Sequence, residues 1–279
     1  MKIGKIGLCN EVIAELPFER QCEMAAQLGY DGLEVSPFTL GDEPHLLPQE
    51  RRRALRRAAS DAGIVITGLH YLMRAPAGLS ITARDPAQRA RTIGVMRDLC
   101  VLAADLGGKV LVHGSPDQRK LEPGFEAEGR KIAIECFAAA GEAAASAGVT
   151  YCVEPLSRKQ TDHINTIEDA AGIVRTINNP ALRTMLDCSS AAATETESIP
   201  DLIKRWLPTG IITHIHLNDP NRRGPGEGEL AFAPILAALR DHNYAGDCGI
   251  EPFVYVPDGP TCAARAIGYV RGLNEALPR

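Results

Sequence analysis

Several features that define other classes of protein are missing from this sequence. It has no apolar run of the roughly 18 residues that a membrane-spanning helix needs. Its eight cysteines form no CxxC pair, and several lie inside apolar stretches such as residues 151–153. The sequence therefore predicts no membrane partner, and it predicts reduced cysteines that pack in a core rather than a disulfide framework or a thiolate zinc site.

Positive charge and a secretory signal are also missing. The formal net charge is -5, so there is no excess of positive charge to attract a phosphate backbone, and we expect no nucleic-acid partner. The arginine-rich run at residues 51–57 is predicted to be the solvated face of an outer helix. The start of the sequence lacks the continuous apolar segment and cleavage site of a signal peptide, which predicts a cytoplasmic protein.

The GxGxxG fingerprint of a dinucleotide-binding fold does not follow the first apolar segment, although short apolar segments alternate with helix-like stretches along the chain. This alternation is typical of a parallel sheet with helical connections, and an open doubly wound sheet shares it. Eight strands suffice to close a ring, so we predict an α/β fold, a single (β/α)8 TIM barrel formed by residues 1–279 as one domain. The predicted strands span residues 3–9, 31–36, 64–70, 109–113, 149–154, 182–187, 211–217 and 247–252.

Helices and loops are predicted between these strands. Residues 86–106 and 126–147 combine good helix formers with apolar residues at i, i+3 and i+4 spacing. Glycines in position to end helices are Gly29, Gly63, Gly107 and Gly148. Proline- and glycine-rich stretches directly follow several strands, which predicts loops at the carboxyl end of the barrel, where such barrels carry their active sites.

Four polar side chains end four successive predicted strands: Glu154, Asp187, His216 and Glu251. Carboxylates are costly to desolvate inside a packed barrel, and three that converge without a cation repel one another. A divalent cation resolves this conflict, and mixed carboxylate and imidazole ligation suits Mn2+, Mg2+, Co2+ or Zn2+. Each residue taken alone could equally form a salt bridge. His214 has the same strand parity as His216 but lies deeper, which predicts a place behind the ligands.

Taken together, these features resemble the superfamily of xylose isomerase-like barrels. That superfamily includes ketose 3-epimerases, hydroxypyruvate isomerases, inosose isomerases and dehydratases, and abasic-site endonucleases. The resemblance covers essentially the whole chain, and its pattern is closest to the ketose 3-epimerases. Its motifs are GYDGLE at residues 29–34, VEPL at 153–156, LD at 186–187, HIHLND at 214–219, RRGPGEG at 222–228 and IE at 250–251.

The resemblance implies a metal-dependent isomerase or epimerase of a keto sugar or sugar derivative. It assigns one divalent ion, with Mn2+ as first choice, to Glu154, Asp187, His216 and Glu251, and it assigns substrate binding to Arg222. The implied reaction passes through an enediolate, with Glu154 and Glu251 removing and returning the proton. We also expect a homo-oligomer, a dimer or a tetramer.

Two positions depart from the epimerase pattern. Ser190 and Gln160 stand where those enzymes carry a substrate-binding histidine and a glutamate, so the identity of the sugar is open. Ser190 is expected to donate a hydrogen bond to the substrate or else to be a turn residue. His70 and His113 end the third and fourth predicted strands, and we expect them to contact substrate, with buried structural histidines as the alternative.

Three other functions stay open at this point. A lyase or dehydratase of a cyclic polyol ketone would share the enediolate. An abasic-site endonuclease-like phosphodiesterase would use His70 and His113 in a zinc cluster, but Ser190 replaces a further histidine ligand of that cluster. A degenerate barrel could bind a sugar without turnover. The number of bound metal ions separates the phosphodiesterase, which would hold a zinc cluster, from the isomerase or epimerase and the lyase, which would hold one ion.

Overall fold

The computed structural model describes residues 4–277, and in this range all eight predicted strands are present. The strands are parallel and close into a barrel in sequence order, with the first strand hydrogen-bonded to the second and to the eighth. This confirms the predicted (β/α)8 barrel. The strands are β1 Ile6–Cys9, β2 Gly32–Val35, β3 Val65–His70, β4 Val110–His113, β5 Thr150–Val153, β6 Leu182–Asp187, β7 Ile212–Leu217 and β8 Cys248–Ile250.

Helices surround the barrel. Within residues 4–277 they are α1 Phe18–Leu28, α2 Gln49–Asp61, α3 Pro86–Leu106, α4 Glu126–Ala147, α5 Ile167–Ile177, α6 Cys188–Thr194, α7 Ile199–Trp206, α8 Phe232–Asp241 and α9 Gly259–Ala276. The two helices predicted from composition and spacing, α3 and α4, have the predicted bounds. Both end at a glycine in the left-handed region, Gly107 with φ 86° and Gly148 with φ 70°, a conformation that glycine adopts without steric cost.

The side chains of the strands form two layers. Val110, Val112, Cys152 and Met185 make a small buried cluster of their own. Because successive side chains on a strand point to opposite faces, the residues between them point outward, toward the helices. These outward residues join the much larger cluster that packs the strands against the helices.

Two irregularities interrupt the regular pairing of the strands. The register between β2 and β3 shifts at Leu33/Glu34, and the register between β6 and β7 shifts at Thr184/Met185, where His214 becomes the next partner. A bulge of this kind bends the strand and changes the direction of the side chains beside it. Glu34 and His214, which follow the two shifts, are hydrogen-bonded to each other inside the barrel.

The cysteines and the arginine run agree with the expectations drawn from the sequence. All eight cysteines are free and buried. The run at residues 51–57 lies on α2, where Arg52 is buried against Asp105 at 2.8 Å while most of its neighbours are exposed. Among the helices of residues 4–277, none combines the length and the apolar composition needed to cross a bilayer.

Candidate active site

The four side chains predicted to bind a metal converge at the carboxyl end of the barrel. Glu154, Asp187, His216 and Glu251 each offer one ligand atom, and these atoms all lie within 4.8 Å of one another. All four side chains are buried, with at most 5% of the residue exposed. They come from the ends of β5 to β8, so four neighbouring strands hold them in a fixed arrangement.

The orientation of His216 is fixed from below by Glu34. His216 Nε2 lies 3.1 Å from one oxygen of Glu34, and His214 Nε2 lies 2.9 Å from the other oxygen. An ionised carboxylate can only accept hydrogen bonds, so each imidazole donates its Nε2 proton to Glu34. In a neutral His216 the remaining nitrogen, Nδ1, therefore carries a lone pair that points at the other three ligands. The expectation that His214 lies behind the ligands agrees with this geometry.

Asp187 is held by two donors that leave it free to bind a cation. Its Oδ1 accepts the backbone N–H of Ser190 at 2.6 Å, which makes Asp187 the N-cap of α6. Its Oδ2 accepts Asn218 Nδ2 at 2.6 Å, and the same amide group lies 3.3 Å from Glu251 Oε2. A carboxylate oxygen has more than one acceptor direction, so these hydrogen bonds orient Asp187 without exhausting it.

Glu251 is oriented by a second buried network. Its Oε1 is 2.9 Å from His70 Nδ1, and His70 Nε2 is 2.9 Å from Glu11 Oε2. The hydroxyl of Ser36 donates to the same Glu11 oxygen at 2.9 Å. Burial alone would raise the pKa of Glu251, but the positive charge of His216, together with the charge and the hydrogen bond of His70, lowers it to about 2.

Glu154 differs from Glu251 in its surroundings. Within residues 4–277 its carboxylate accepts no hydrogen bond, and it forms one long ion-pair contact, with His216 Nδ1 3.8 Å from Oε1. Burial first, and then the charge of Glu251, raise the pKa of Glu154 well above the ordinary value. Burial and Glu251 also raise the pKa of Asp187.

This donor set fits a divalent cation. His216 Nδ1 is buried and has no hydrogen-bond partner among the described residues, and it lies 3.2 Å from Glu251 Oε2. A lone pair that faces three carboxylates is repelled unless a positive charge lies between them. One nitrogen and several carboxylate oxygens suit Mn2+, Co2+, Zn2+ or Mg2+. Two overlapping groups of potential ligands lie deeper: Glu34 with His214 and His216, and Cys9 with His70, His216 and Glu251.

A cavity of about 610 Å³ opens directly above three of these ligands. Glu154, Asp187 and Glu251 form its floor, and Tyr71 and Phe253 contribute aromatic faces to its wall. The remaining wall comes from segments that follow β4 to β8, including Leu156, Ser157, Lys159 and Gln160 after β5, and Ser189, Ser190 and Ala193 of α6. A molecule in this cavity would therefore lie against the carboxylates and would be enclosed by polar and aromatic side chains.

Of the predicted substrate-binding residues, Arg222 and Ser190 line this cavity. Arg222 has φ 68° and its guanidinium carbon lies 4.5 Å from the centre of the Phe253 ring, a cation–π arrangement. The backbone N–H groups of Phe253 and Val254 both donate to the carbonyl of Arg222, which fixes this loop conformation. Ser190 is buried at the start of α6, and its hydroxyl lies 3.4 Å from Gln160 Oε1.

His70 and His113 occupy different positions from the expected ones. His70 is fully buried beneath Glu251 and does not line the cavity, so it contacts the ligand set rather than a molecule above it. His113 points away from the barrel interior: its ring lies 5.1 Å from that of Phe137 on α4, and Nδ1 is 2.7 Å from the Tyr151 hydroxyl. The expectation that His113 contacts substrate is corrected by this geometry, because its parity on β4 is that of the outward side chains.

Several residues of the site are not singled out by the sequence pattern. Glu11 and Ser36 follow β1 and β2 and reach the site only through His70. Arg119, fully buried, donates to the carbonyls of Glu154 and His113 and so ties the end of β4 to that of β5. Asn218 alone carries a signal that could have identified it, because it continues the parity of His214 and His216 beyond the end of β7.

The fold and the four converging side chains define a class, a (β/α)8 barrel with a buried, carboxylate-rich site, and comparison with known proteins assigns the chain to a family of TIM barrels. The profile of the family described as xylose isomerase-like TIM barrel matches residues 22–273. The chain belongs to this family, which confirms the resemblance predicted from its motifs and its assignment to a family of enzymes.

Individual relatives agree with this assignment. D-psicose 3-epimerase of Agrobacterium fabrum is 26% identical over 245 residues, which cover 83% of this chain and 78% of that protein. A putative hydroxypyruvate isomerase of Streptomyces coelicolor is 26% identical over 256 residues, which cover 86% and 87%. A crystal structure of D-psicose 3-epimerase in the presence of D-fructose superposes with a TM-score of 0.81 at 21% identity, over 97% of this chain and 99% of the other. At this identity the superposition establishes the shared fold.

Proposed function

We propose that this protein is a divalent-metal-dependent epimerase or isomerase of a keto sugar or sugar derivative. The observation that carries the proposal is the convergence of Glu154, Asp187, His216 and Glu251 at the floor of the cavity, with ligand atoms within 4.8 Å of one another. Relatives named as epimerases of psicose support the epimerase reaction. We propose Mn2+ as the metal, with Mg2+, Co2+ or Zn2+ as alternatives.

The residues of the chain suit deprotonation beside a carbonyl. When bound, a divalent cation would polarise the carbonyl of the substrate and stabilise the negative charge of an enediolate. Glu154 and Glu251 both line the cavity, and we propose that one removes the proton and the other returns it.

Other side chains would orient the substrate and limit the access of water. Arg222 and Ser190 are placed to bind its oxygens, and Phe253 offers an aromatic face beside them. Such positioning contributes by holding the reacting carbon within reach of both carboxylates. His70, which is bonded to Glu251, is proposed as a positioning residue rather than a substrate contact.

The phosphodiesterase alternative is not favoured by this geometry. A zinc cluster of the kind considered above needs His113 beside the other ligands, and His113 lies instead in the layer between β4 and α4. None of the potential metal-ligand groups found within residues 4–277 includes it. The lyase alternative would use the same ligands and the same deprotonation, so only product analysis separates it from the proposed reaction.

The experiment that tests the proposal is solvent deuterium exchange. The Mn2+-loaded protein is incubated with a panel of ketoses in deuterated water, and both deuterium at the carbon beside the carbonyl and the products are followed by NMR. We expect exchange and an epimer or aldose product, both abolished by EDTA and restored by Mn2+. Loss of water from the sugar would instead indicate the lyase, and absence of metal-dependent exchange across the panel would overturn the proposal.

Two variants and a control sharpen this test. Glu154→Gln and Glu251→Gln are each expected to lower kcat by about 100- to 10,000-fold, the usual contribution of a positioned acid or base. Glu135→Gln, on an exposed site of α4, changes charge in the same way outside the cavity and should leave kcat unchanged. A kcat in either cavity variant that is close to that of Glu135→Gln would contradict the assigned roles.

A further inference from the structure

Two neighbouring side chains of the loop that follows β5, Lys159 and Gln160, line the cavity and carry hydrogen-bond donors that meet no acceptor among the described residues. Lys159 lines the cavity, and its exposed ammonium group makes neither an ion pair nor a hydrogen bond with any residue in the range 4–277. An ammonium group has three N–H donors and no acceptor. A substrate group that meets Lys159 must therefore supply electron pairs, and a negative charge would be favoured further.

Gln160, beside it, is oriented by hydrogen bonds to its amide oxygen, and these leave the N–H donors of its amide group unpaired. Its Oε1 accepts the backbone N–H of Ser157 at 3.2 Å and the Ser157 hydroxyl at 2.7 Å. The backbone N–H can only donate, so the atom it meets must be the amide oxygen, and this fixes which way the side chain faces. The Nε2 group then makes no hydrogen bond to the described residues, and it belongs to a residue of the cavity wall.

The charge around the cavity reinforces this polarity. The protein as a whole has a formal charge of -5, but the cations of the cavity wall, Lys159 and Arg222, form no ion pair within the part of the chain that the structure describes. Arg222 instead stacks on Phe253. Unpaired cations beside a concave surface concentrate positive potential there. The carboxylates of the cavity floor are the proposed metal ligands, and the positive charge of a bound metal would offset their negative charge.

From this polarity we infer that the substrate is an anionic keto sugar, one that carries a phosphate ester or a carboxylate bound by Lys159 and Gln160. The inference rests on the proposed function, because it places the keto group of the same molecule at the carboxylate floor. Oxygens of a phosphate or a carboxylate accept several hydrogen bonds and donate none when ionised, which matches the unpaired donors of this loop.

Three ketoses that differ only at the terminal carbon test this inference: D-fructose with a hydroxyl, D-fructose 6-phosphate with a phosphate ester, and D-fructuronate with a carboxylate. Dissociation constants are measured by calorimetry, and kcat/KM is measured by deuterium exchange, both with the Mn2+-loaded protein. We expect at least one anionic ketose to bind at least about tenfold more tightly than D-fructose, a preference that weakens as salt is added. Whichever of the two anions binds more tightly identifies the group recognised.

Three variants connect the preference to the loop. Lys159→Gln removes the cation, and Gln160→Glu replaces the free donors with an acceptor that repels an anion. Each should lower the ratio of anionic to neutral binding by about tenfold. Lys204→Gln, at an exposed position of α7 outside the cavity, should keep the wild-type ratio. General damage to the fold would lower binding of all three ketoses alike and leave the ratio unchanged.

The outcomes separate this inference from the proposed function. Equal, weaker or undetectable binding of both anionic ketoses relative to D-fructose overturns the inference, as does a wild-type ratio in both Lys159→Gln and Gln160→Glu. If the protein instead catalyses metal-dependent exchange with neutral ketoses only, the inference about an anionic substrate is overturned but the proposed function stands. Preferential binding of an anionic ketose without any deuterium exchange would support the anion site and contradict the epimerase reaction.

Discussion

Gly114 gives Glu154 the space that its carboxylate occupies. A Cβ atom at this position would lie 1.4 Å from Glu154 Oε2, so no larger residue fits while that side chain stays in place. The obstructing atom is the end of a side chain, and Glu154 can therefore rotate away without unfolding the barrel. Gly114→Ala should lower Mn2+ affinity and kcat, each by at least about tenfold, because a displaced Glu154 carboxylate would be out of position for both the metal and the substrate.

The matched control for this change is Gly172→Ala. Gly172 lies on an exposed site of α5, where an added Cβ meets no atom within 4 Å. Alanine is there expected to stabilise the fold by about 0.5–1 kcal/mol and to leave metal affinity unaltered. Calorimetric titration with Mn2+ and thermal unfolding measure the two quantities. Wild-type affinity in Gly114→Ala would mean that Glu154 does not bind the metal in the position described.

Glu34 offers a second test at the scale of single residues. Both of its oxygens accept protons from imidazoles, and a glutamine amide can accept from one of them but must turn a donor toward the other. Glu34→Gln should therefore misorient His216 and weaken Mn2+ binding by about 10- to 100-fold, as is usual when a partner of a metal ligand is lost. The far-UV circular dichroism spectrum reports whether the fold is intact, and unchanged affinity in a folded variant would contradict the role of Glu34.

Single residues differ in how well the sequence predicts their place. Glu154, Asp187, His216 and Glu251 could be found because each lies within one residue of the end of a strand, and strand ends meet at one rim of a barrel. His113 also ends a strand but points outward, because the side chain that faces the interior depends on a register that a short apolar run does not reveal. Glu11 lies in the short 3-10 helix Asn10–Ile13 that follows β1, and the position of this turn depends on packing and not on any local period.

Among the helices, α5 shows how local sequence fixes where an element begins. Thr166 accepts the N–H of Asp169 at 3.1 Å, and Asp169 in return accepts the N–H of Thr166 at 3.0 Å. This reciprocal capping satisfies two backbone donors that the first turn would leave unpaired. Thr166→Ala should lower the free energy of unfolding by about 1 kcal/mol and leave kcat unchanged, since α5 does not line the cavity.

Thr176→Ala is the control for this helix prediction. Its hydroxyl bonds the carbonyl of Gly172 in the last turn of the same helix, a hydrogen bond that adds little to a helix already paired. The expected change is within about 0.5 kcal/mol. Urea unfolding of the two variants checks the difference, and equal stability would show that the capping box contributes nothing measurable.

Regular elements follow from the sequence more closely than their connections do. The bounds of α3 and α4 could be predicted because apolar spacing, good helix formers and a final glycine agree. The register shifts beside Glu34 and His214 could not, because an extra residue in one strand is specified only by its partner strand. These shifts orient side chains of the site. The helices and strands could therefore be predicted from the sequence, whereas the orientation of Glu34 and His214 could not.

For the molecule as a whole, the site makes metal binding depend on pH. Burial opposes charging of His216, yet Glu251 and Glu34 raise its pKa well above the ordinary value, and burial raises that of Glu154. Both groups must be deprotonated to bind a cation, so protons compete with the metal. Mn2+ affinity should rise with pH through these raised pKa values, by up to about tenfold per pH unit for each proton displaced.

Calorimetric titrations at a series of pH values, in buffers of different ionisation enthalpy, measure both the affinity and the protons released. Histidines and carboxylates of raised pKa titrate at roughly pH 5 to 8. Affinity that is independent of pH across this range, with no proton release, would contradict this linkage. The assembly of the protein into a dimer or tetramer stays a prediction, and light scattering of the same samples tests it.

The central claim is that four side chains from successive strands bind one divalent ion. Anomalous diffraction at the manganese edge from crystals grown with Mn2+ tests it most directly. We predict one strong peak at the cavity floor, within bonding distance of Glu154, Asp187, His216 and Glu251. A peak at the deeper group of Glu34, His214 and His216, a peak beside Cys9 and His70, or no peak at the floor would contradict the account.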